Sequence, residues 1–289
     1  MRDIVYTEKE RLRSYSSIFS RAVFSDIIEY NDYSRLDTMR KRYDADKNSF
    51  NTYYDYLKYI YRIIAKYYRC EYVYKNEIIN KLLIKQYGTT NTIAINEFRV
   101  RNTIVDLAMF NGKSKAFEIK TEYDTKKRLG HQIDSYTKLF QECYIVVPME
   151  VVEEYKKVIP NNVGVIGLMY ERGRIKLQHV KDATDNEKID TYILMRSIRT
   201  SEYCNIVKSY YNYIPNVSCF ELFDKCEELI AQIPTKDLQR LFLAEIKKRN
   251  SNTSLLGAFM TEIRQMCLSM NLNKKQYEIL HQRLNNIIK

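Results

Sequence analysis

Tryptophan is absent from this chain of 289 residues, and glycine (7) and proline (4) are scarce. So few breakers exclude a collagen-like or Gly/Pro-rich low-complexity chain and leave room for long ordered elements. The three histidines stand far apart with no metal-ligand spacing; His131 reads as a partly exposed helix residue. The six cysteines (Cys70, Cys143, Cys204, Cys219, Cys226, Cys267) form no CxxC pair. They read as reduced, largely buried thiols of a cytoplasmic protein. No Walker A loop and no dinucleotide-binding glycine pattern occurs, so nothing points to ATP or NAD. No apolar run reaches membrane-spanning length, and the opening MRDIVYTEKERLR lacks the apolar core of a signal peptide. No membrane partner is expected.

What is present is tyrosine, 26 of them, and positive charge, a net +11 with a pI near 9.1. The charge is spread along the chain without a basic tail. A basic balance suits a phosphate-rich partner. Tyrosine in such number reads first as core filler. Hydrophobic content of 45% and charged content of 29% are ordinary for a globular protein of one or two domains with a sizeable core.

The informative stretch is Ala94 to Glu122. It reads as strand, turn, strand, turn, strand. Thr103 to Met109 alternates, so Asp106 shares a face with Ile104 and Ala108. Asn111-Gly112 is a hairpin turn signal. In the partner strand, Lys115 to Lys120, Phe117 and Ile119 face one way and Glu118 and Lys120 the other. The hairpin therefore sets two carboxylates and an ammonium on one patch of sheet. Carboxylates a few ångströms apart repel unless a cation or proton lies between them. A hard ion such as Mg²⁺ takes oxygen ligands and keeps several waters. Bound, it acidifies water and stabilises charge on a phosphoryl oxygen. Lys120 would hold the attacking water or the phosphate. The plain alternative is a solvated hairpin with a surface Glu–Lys pair, a pair worth little.

Asp106 with Glu118-Ile119-Lys120 resembles the PD-(D/E)XK nuclease superfamily. The surroundings, Asn96-Glu97-Phe98-Arg99 through to Arg128-Leu129 and Gln132…Tyr136, look like a branch of uncharacterised bacterial and prophage proteins. The superfamily's order of strand, hairpin, helix, strand is matched by the helix after Lys120 and the apolar strand Cys143–Val147. Val105 stands where the signature has proline, a backbone-shaping position that binds no metal. The resemblance covers about residues 70 to 150. It implies an α/β fold: a restriction-endonuclease-like mixed sheet core flanked by helices, with N-terminal helices and a C-terminal helical region. It implies Mg²⁺ (Mn²⁺ as substitute) between Asp106 and Glu118, with the Ile119 carbonyl as a further ligand. Lys120 and Gln132 join Asp106 and Glu118 as catalytic residues. A further acid is expected, Glu97 ahead of Glu77. Arg128, Lys75 and Asn76 would meet substrate. The implied activity is hydrolysis of phosphodiester bonds in nucleic acid, DNA ahead of RNA. The alternative is a non-enzymatic module that binds nucleic acid or protein. A homodimer is compatible with either.

Three segments follow: 1–69 helical, 70–185 the core, and 186–289 a helical region after the polar break 181–190. Residues 8–24 read as a helix carrying Leu12, Tyr15, Phe19 and Val23 on one face. A short helix is expected over 25–32 with Ser25 as N-cap. Residues 33–50 are polar and give no clear element. Asn51 to Arg69 has helical spacing. Tyr54, Tyr61 and Tyr68 with nearby cations suggest base stacking, against the blander reading of a core helix with a basic edge. A helix from Tyr74 ends near Gly88. Another, Lys126 to Gln141, buries Leu129, Ile133, Tyr136 and Phe140. Loop acids Glu122 and Asp124 are candidates for a water-mediated metal contact. Val163–Met169 and Arg174–Val180 form a hairpin. Helices are expected over 254–270 and 273–288, the latter opened by an Asn273/Gln276 capping box.

Overall fold

The computed structural model describes residues 7–47 and 50–288. Helix α1 (Glu8–Ile18) opens on Thr7, whose hydroxyl takes the Glu10 N–H while Glu10 returns to the Thr7 N–H. The expected single helix breaks at Phe19-Ser20, and α2 (Arg21–Ser25) begins afresh. Leu12, Tyr15, Phe19 and Val23 are all buried even so. Ser25 lies inside helical backbone rather than capping it, and α2 runs on as a π-wound turn, Asp26–Tyr30. The polar stretch beyond is a helix after all, α3 (Ser34–Tyr43). Asp32 takes the Ser34 N–H at 2.8 Å, and Leu36 anchors the helix in the core. Two residues of the 33–50 reading, 48 and 49, lie outside the described residues.

Helix α4 (Tyr53–Tyr67) is capped by Thr52 and Asp55 in a reciprocal box. Helix α5 (Glu71–Ile78) continues π-wound through Ile79–Tyr87 and stops at Gly88, φ 74°. Strands β1 (Ile93–Val100), β2 (Thr103–Asn111) and β3 (Lys113–Ile119) follow, with Gly112 at φ 68° in the expected turn. Helix α6 (Leu129–Thr137) is shorter than its apolar stripe suggests, though Leu129, Ile133, Tyr136 and Phe140 are all buried. Strand β4 (Glu142–Pro148), α7 (Val152–Lys156), β5 (Gly164–Glu171) and β6 (Arg174–Lys181) complete the sheet. The β5–β6 turn places Arg172 and Gly173 at φ 49° and 77°, as a two-residue hairpin turn demands. Helices α8 (Thr191–Ser197), α9 (Thr200–Tyr211), α10 (Leu222–Ile230) and α11 (Thr235–Lys247) come next, then α12 (Arg264–Ser269) and α13 (Lys274–Leu284).

The expected helix over 254–270 is instead a 3₁₀ segment, Thr253–Ala258, followed by α12. The Arg264 guanidinium takes the Phe259 and Gly257 carbonyls at 3.0 and 2.9 Å, so a side chain stands in for the helix ladder there. The Asn273/Gln276 capping box is present. Among the described residues no helix is long and apolar enough to cross a membrane.

The six strands lie in sequence order in one mixed sheet. β1–β2 and β2–β3 are antiparallel; β3–β4 and β4–β5 are parallel. Parallel neighbours need crossovers, which α6 and α7 supply. The chain divides into two compact units that cut across the sequence segments. One comprises Met1–Thr89, Met169–Leu177 and Asn252–Lys289; the other Thr90–Leu168 and Gln178–Ser251.

In the first unit, tyrosine is the core residue. Tyr15 and Tyr56 are fully buried, and both phenols donate to the buried Asp44 carboxylate, at 2.6 and 2.9 Å. Burial, then Asp44, pushes both phenols far up. A buried phenol needs such a partner, or its apolar gain is lost to an unpaired hydroxyl. In the second unit, α6, α8 and α11 cover the sheet over Phe98, Phe110, Phe140 and Phe242, whose rings meet at 5.6–5.9 Å. Each such ring contributes about 1.5–3 kcal/mol by leaving water. That layer lies on the same face of the sheet as Asp106 and Glu118, and Tyr136 of α6 reaches Glu118.

Candidate active site

Register places the acids. The β2–β3 ladder pairs Leu107 with Phe117, so one step on, Asp106 falls opposite Glu118. The β1–β2 ladder pairs Asn96 with Leu107 and Phe98 with Val105, so Glu97 falls opposite Asp106. Three acids thus occupy one row across three neighbouring strands. Glu97 holds its place with φ 57°, a left-handed backbone in a residue that is not glycine. Such a conformation costs about 1–3 kcal/mol and persists where the surroundings impose it.

Glu118 is 2% exposed and Lys120 9%. The Lys120 ammonium donates to Glu118 Oε1 at 2.7 Å and to Gln132 Oε1 at 3.0 Å. Asp106, half-buried, takes the Ile119 N–H on Oδ2 at 2.7 Å. The Tyr136 hydroxyl, reaching down from α6, lies 2.9 Å from Glu118 Oε2 and 2.7 Å from the Ile104 carbonyl. Burial, more than any neighbour, pushes the Glu118 carboxyl above its usual range, against the pull of Lys120, Tyr136 and Gln132. Burial and the Glu118 charge together push the Tyr136 phenol far up, with Asp106 adding to them.

One hydroxyl proton cannot serve both of Tyr136's acceptors fully. When Glu118 is ionised, the phenol divides its proton between carboxylate and carbonyl. When Glu118 is protonated, it donates to the phenol oxygen and the phenol to Ile104.

The structure brings Asp106, Glu118, Ile119, Lys120 and Gln132 together. Ile119 joins them through its N–H. Glu97 lies in their row and is exposed. Arg128 is exposed at the start of α6. Glu77, Lys75 and Asn76 belong to the other compact unit and are engaged there. Glu77 takes the Tyr61 phenol at 2.8 Å and Lys81 at 3.3 Å. Lys75 pairs with Glu71 at 2.5 Å. Asn76 ties Thr261 and Gln265 at 2.9 and 3.0 Å. Asp124 caps its own turn, taking the Thr121 N–H at 2.8 Å. Of the tyrosines named with the base-stacking reading, Tyr61 is buried, while Tyr54, which donates to Glu262 at 2.8 Å, and Tyr68 are half-buried. Tyr136 is the residue that periodicity assigned only to packing. Its i, i+4 spacing from Gln132 was the available signal.

For a divalent cation, the donor chemistry fits: two carboxylates opposite one another, one buried with its charge disfavoured. Among the described residues no three His, Cys, Asp or Glu side chains converge into a ready ligand set. An ion here would complete its shell with water, as Mg²⁺ ordinarily does.

The architecture is that of a mixed α/β protein with an acid–lysine cluster on its sheet. The chain belongs to the family described as Bacteriophage P4 protein cII, which matches residues 65–273. That span includes every residue of the cluster. Protein cII of Enterobacteria phage P4 is 25% identical over 175 residues, 60% of this chain and 65% of that protein. The chain thus spans 65% of the length of this curated relative. Among solved structures, a protein of unknown function from Silicibacter pomeroyi, SPO1766, is 15% identical, with a TM-score of 0.27. The match covers 45% of this chain and 86% of that one; at that score the likeness bears on neither fold nor function.

Proposed function

We propose that this phage-family protein is a metal-dependent nuclease acting on DNA, with Asp106, Glu118 and Lys120 at its centre. The observation that carries the reading is the Glu118–Lys120–Gln132–Tyr136 network beside Asp106. A buried ion pair contributes little stability for its desolvation cost. Such a group on a strand otherwise apolar on its other face suits chemistry better than folding. Asp106 and Glu118, with Glu97 in their row, are the residues that would hold Mg²⁺ or Mn²⁺. The bound ion supplies Lewis acidity and a more acidic water. Glu118 and Gln132 fix the Lys120 ammonium, which orients the attacking water or a phosphate oxygen. Gln132 offers an amide to the same oxygen. Arg128, exposed at the edge of α6, meets the strand's backbone. A prophage protein with free cysteines fits a cytoplasmic setting.

A second reading rests on the closure of the network upon itself. Lys120 and Glu118 are buried and mutually satisfied, as they would be in a nuclease-like sheet kept for binding alone. The test is nicking of supercoiled plasmid with Mg²⁺ or Mn²⁺. The enzyme reading expects nicking that Lys120→Ala abolishes without loss of fold. A folded protein that binds DNA and never nicks it supports the binding module.

A further inference from the structure

The first compact unit carries a cavity of about 420 Å³. Four segments distant in sequence line it: α4, α5 with its π-wound continuation, the tip of the β5–β6 hairpin, and the chain around Arg264. They bring five cations to its walls, Arg62, Lys81, Lys85, Arg174 and Arg264, against two acids, Glu77 and Glu262. Like charges gathered this way oppose folding unless an anion joins them.

Both acids already have partners. Glu77 holds Tyr61 and Lys81, and Glu262 holds Tyr54. Among the described residues, Arg62, Lys85 and Arg174 make no ion pair, and all three are exposed. Arg264 is fixed by three neutral acceptors, Asn80 Oδ1 at 2.8 Å and the Gly257 and Phe259 carbonyls. These acceptors position its charge, with the Glu262 carboxylate acting on it through space. Lys81 and Lys85 are four apart on the nine-residue π-wound segment, a winding rare in proteins and frequent at functional sites. Half-buried Tyr170 adds an aromatic wall.

We propose that this cavity is a nucleotide-phosphate site: Arg62, Lys85, Arg174 and Arg264 take phosphate oxygens, and Tyr170 lies beside the base. The volume lies within the range of small-ligand sites. The phosphates belong either to a free nucleotide or to a nucleic-acid strand, the chemistry being shared. The site requires no divalent ion and stands apart from the nuclease reading, so it is tested in EDTA.

The experiment measures fluorescence anisotropy of a labelled single-stranded oligonucleotide over a salt series, with ATP as competitor. The Arg62→Ala/Lys85→Ala/Arg174→Ala protein changes only exposed side chains. A control, Lys225→Ala/Lys236→Ala/Arg240→Ala, removes equal charge from exposed positions in the other unit. Removing three phosphate contacts lowers the salt slope by about 2, an affinity loss on the order of 100-fold at 0.1 M salt. That loss in the cavity variant, absent in the control, is the expected result. Competition by ATP then assigns the site to a free nucleotide, and its failure to a strand. Equal weakening in both variants, or no binding of either probe by the unaltered protein, overturns the proposal.

Discussion

Tyr136→Phe removes one oxygen from the centre of the site and leaves the ring packing in place. The lost hydroxyl faces a buried carboxylate at 2.9 Å and a carbonyl at 2.7 Å. Hydrogen bonds to charged groups contribute about 1.5–3 kcal/mol. A loss near 2 kcal/mol lowers Tm by about 4–8 °C in a cooperative unit of this size. The effect should depend on Glu118. In a Glu118→Gln background the acceptor is neutral, and the same change should cost about half as much. The assay is thermal and urea unfolding of the four proteins of this double-mutant cycle at pH 7. A Tyr136→Phe cost below about 0.5 kcal/mol, or one identical in both backgrounds, refutes the claim that the phenol acts on the Glu118 charge.

Two other outcomes follow from the same geometry. Because the Glu118 carboxyl is raised, folding favours its neutral form. Its contribution is therefore fully present below the ordinary carboxylate range and is lost as pH rises through the raised value. Unfolding of wild type and Glu118→Gln between pH 4 and 8 should show the variant gaining relative stability as pH rises; a difference independent of pH contradicts this. Glu97→Gly relieves the backbone at φ 57° and removes an acid from the row. It should hold or raise Tm while weakening Mn²⁺ affinity severalfold, measured by calorimetry. An unchanged affinity takes Glu97 out of the site.

Much of the site was legible because hairpins are local. Asn111-Gly112 sets the register of β2 on β3, and register alone brings Asp106 opposite Glu118. The same alternation put Lys120 with Glu118. Tyr136 was not legible as a partner, because its contact depends on how α6 lies over the sheet, which no local pattern encodes. Glu77, Lys75 and Asn76 matched an expected order along the chain, yet their side chains serve Tyr61, Glu71, Thr261 and Gln265. Helix α3 went unread because its stretch is mostly polar; buried Leu36, the Asp32 contact to the Ser34 N–H, the Tyr53 phenol on Asp37 and the Tyr15–Tyr43 ring contact tie it down. The breaks at Phe19-Ser20 and around Gly257 interrupt apolar patterns that continue in burial, so periodicity ran the helices through them.

The measurement that tests the central claim most directly is titration calorimetry of Mn²⁺ into the folded protein and into Asp106→Ala. The account predicts binding in the unaltered chain and its loss in a variant that still unfolds cooperatively. Absence of binding in the unaltered chain, or equal binding in both, contradicts it.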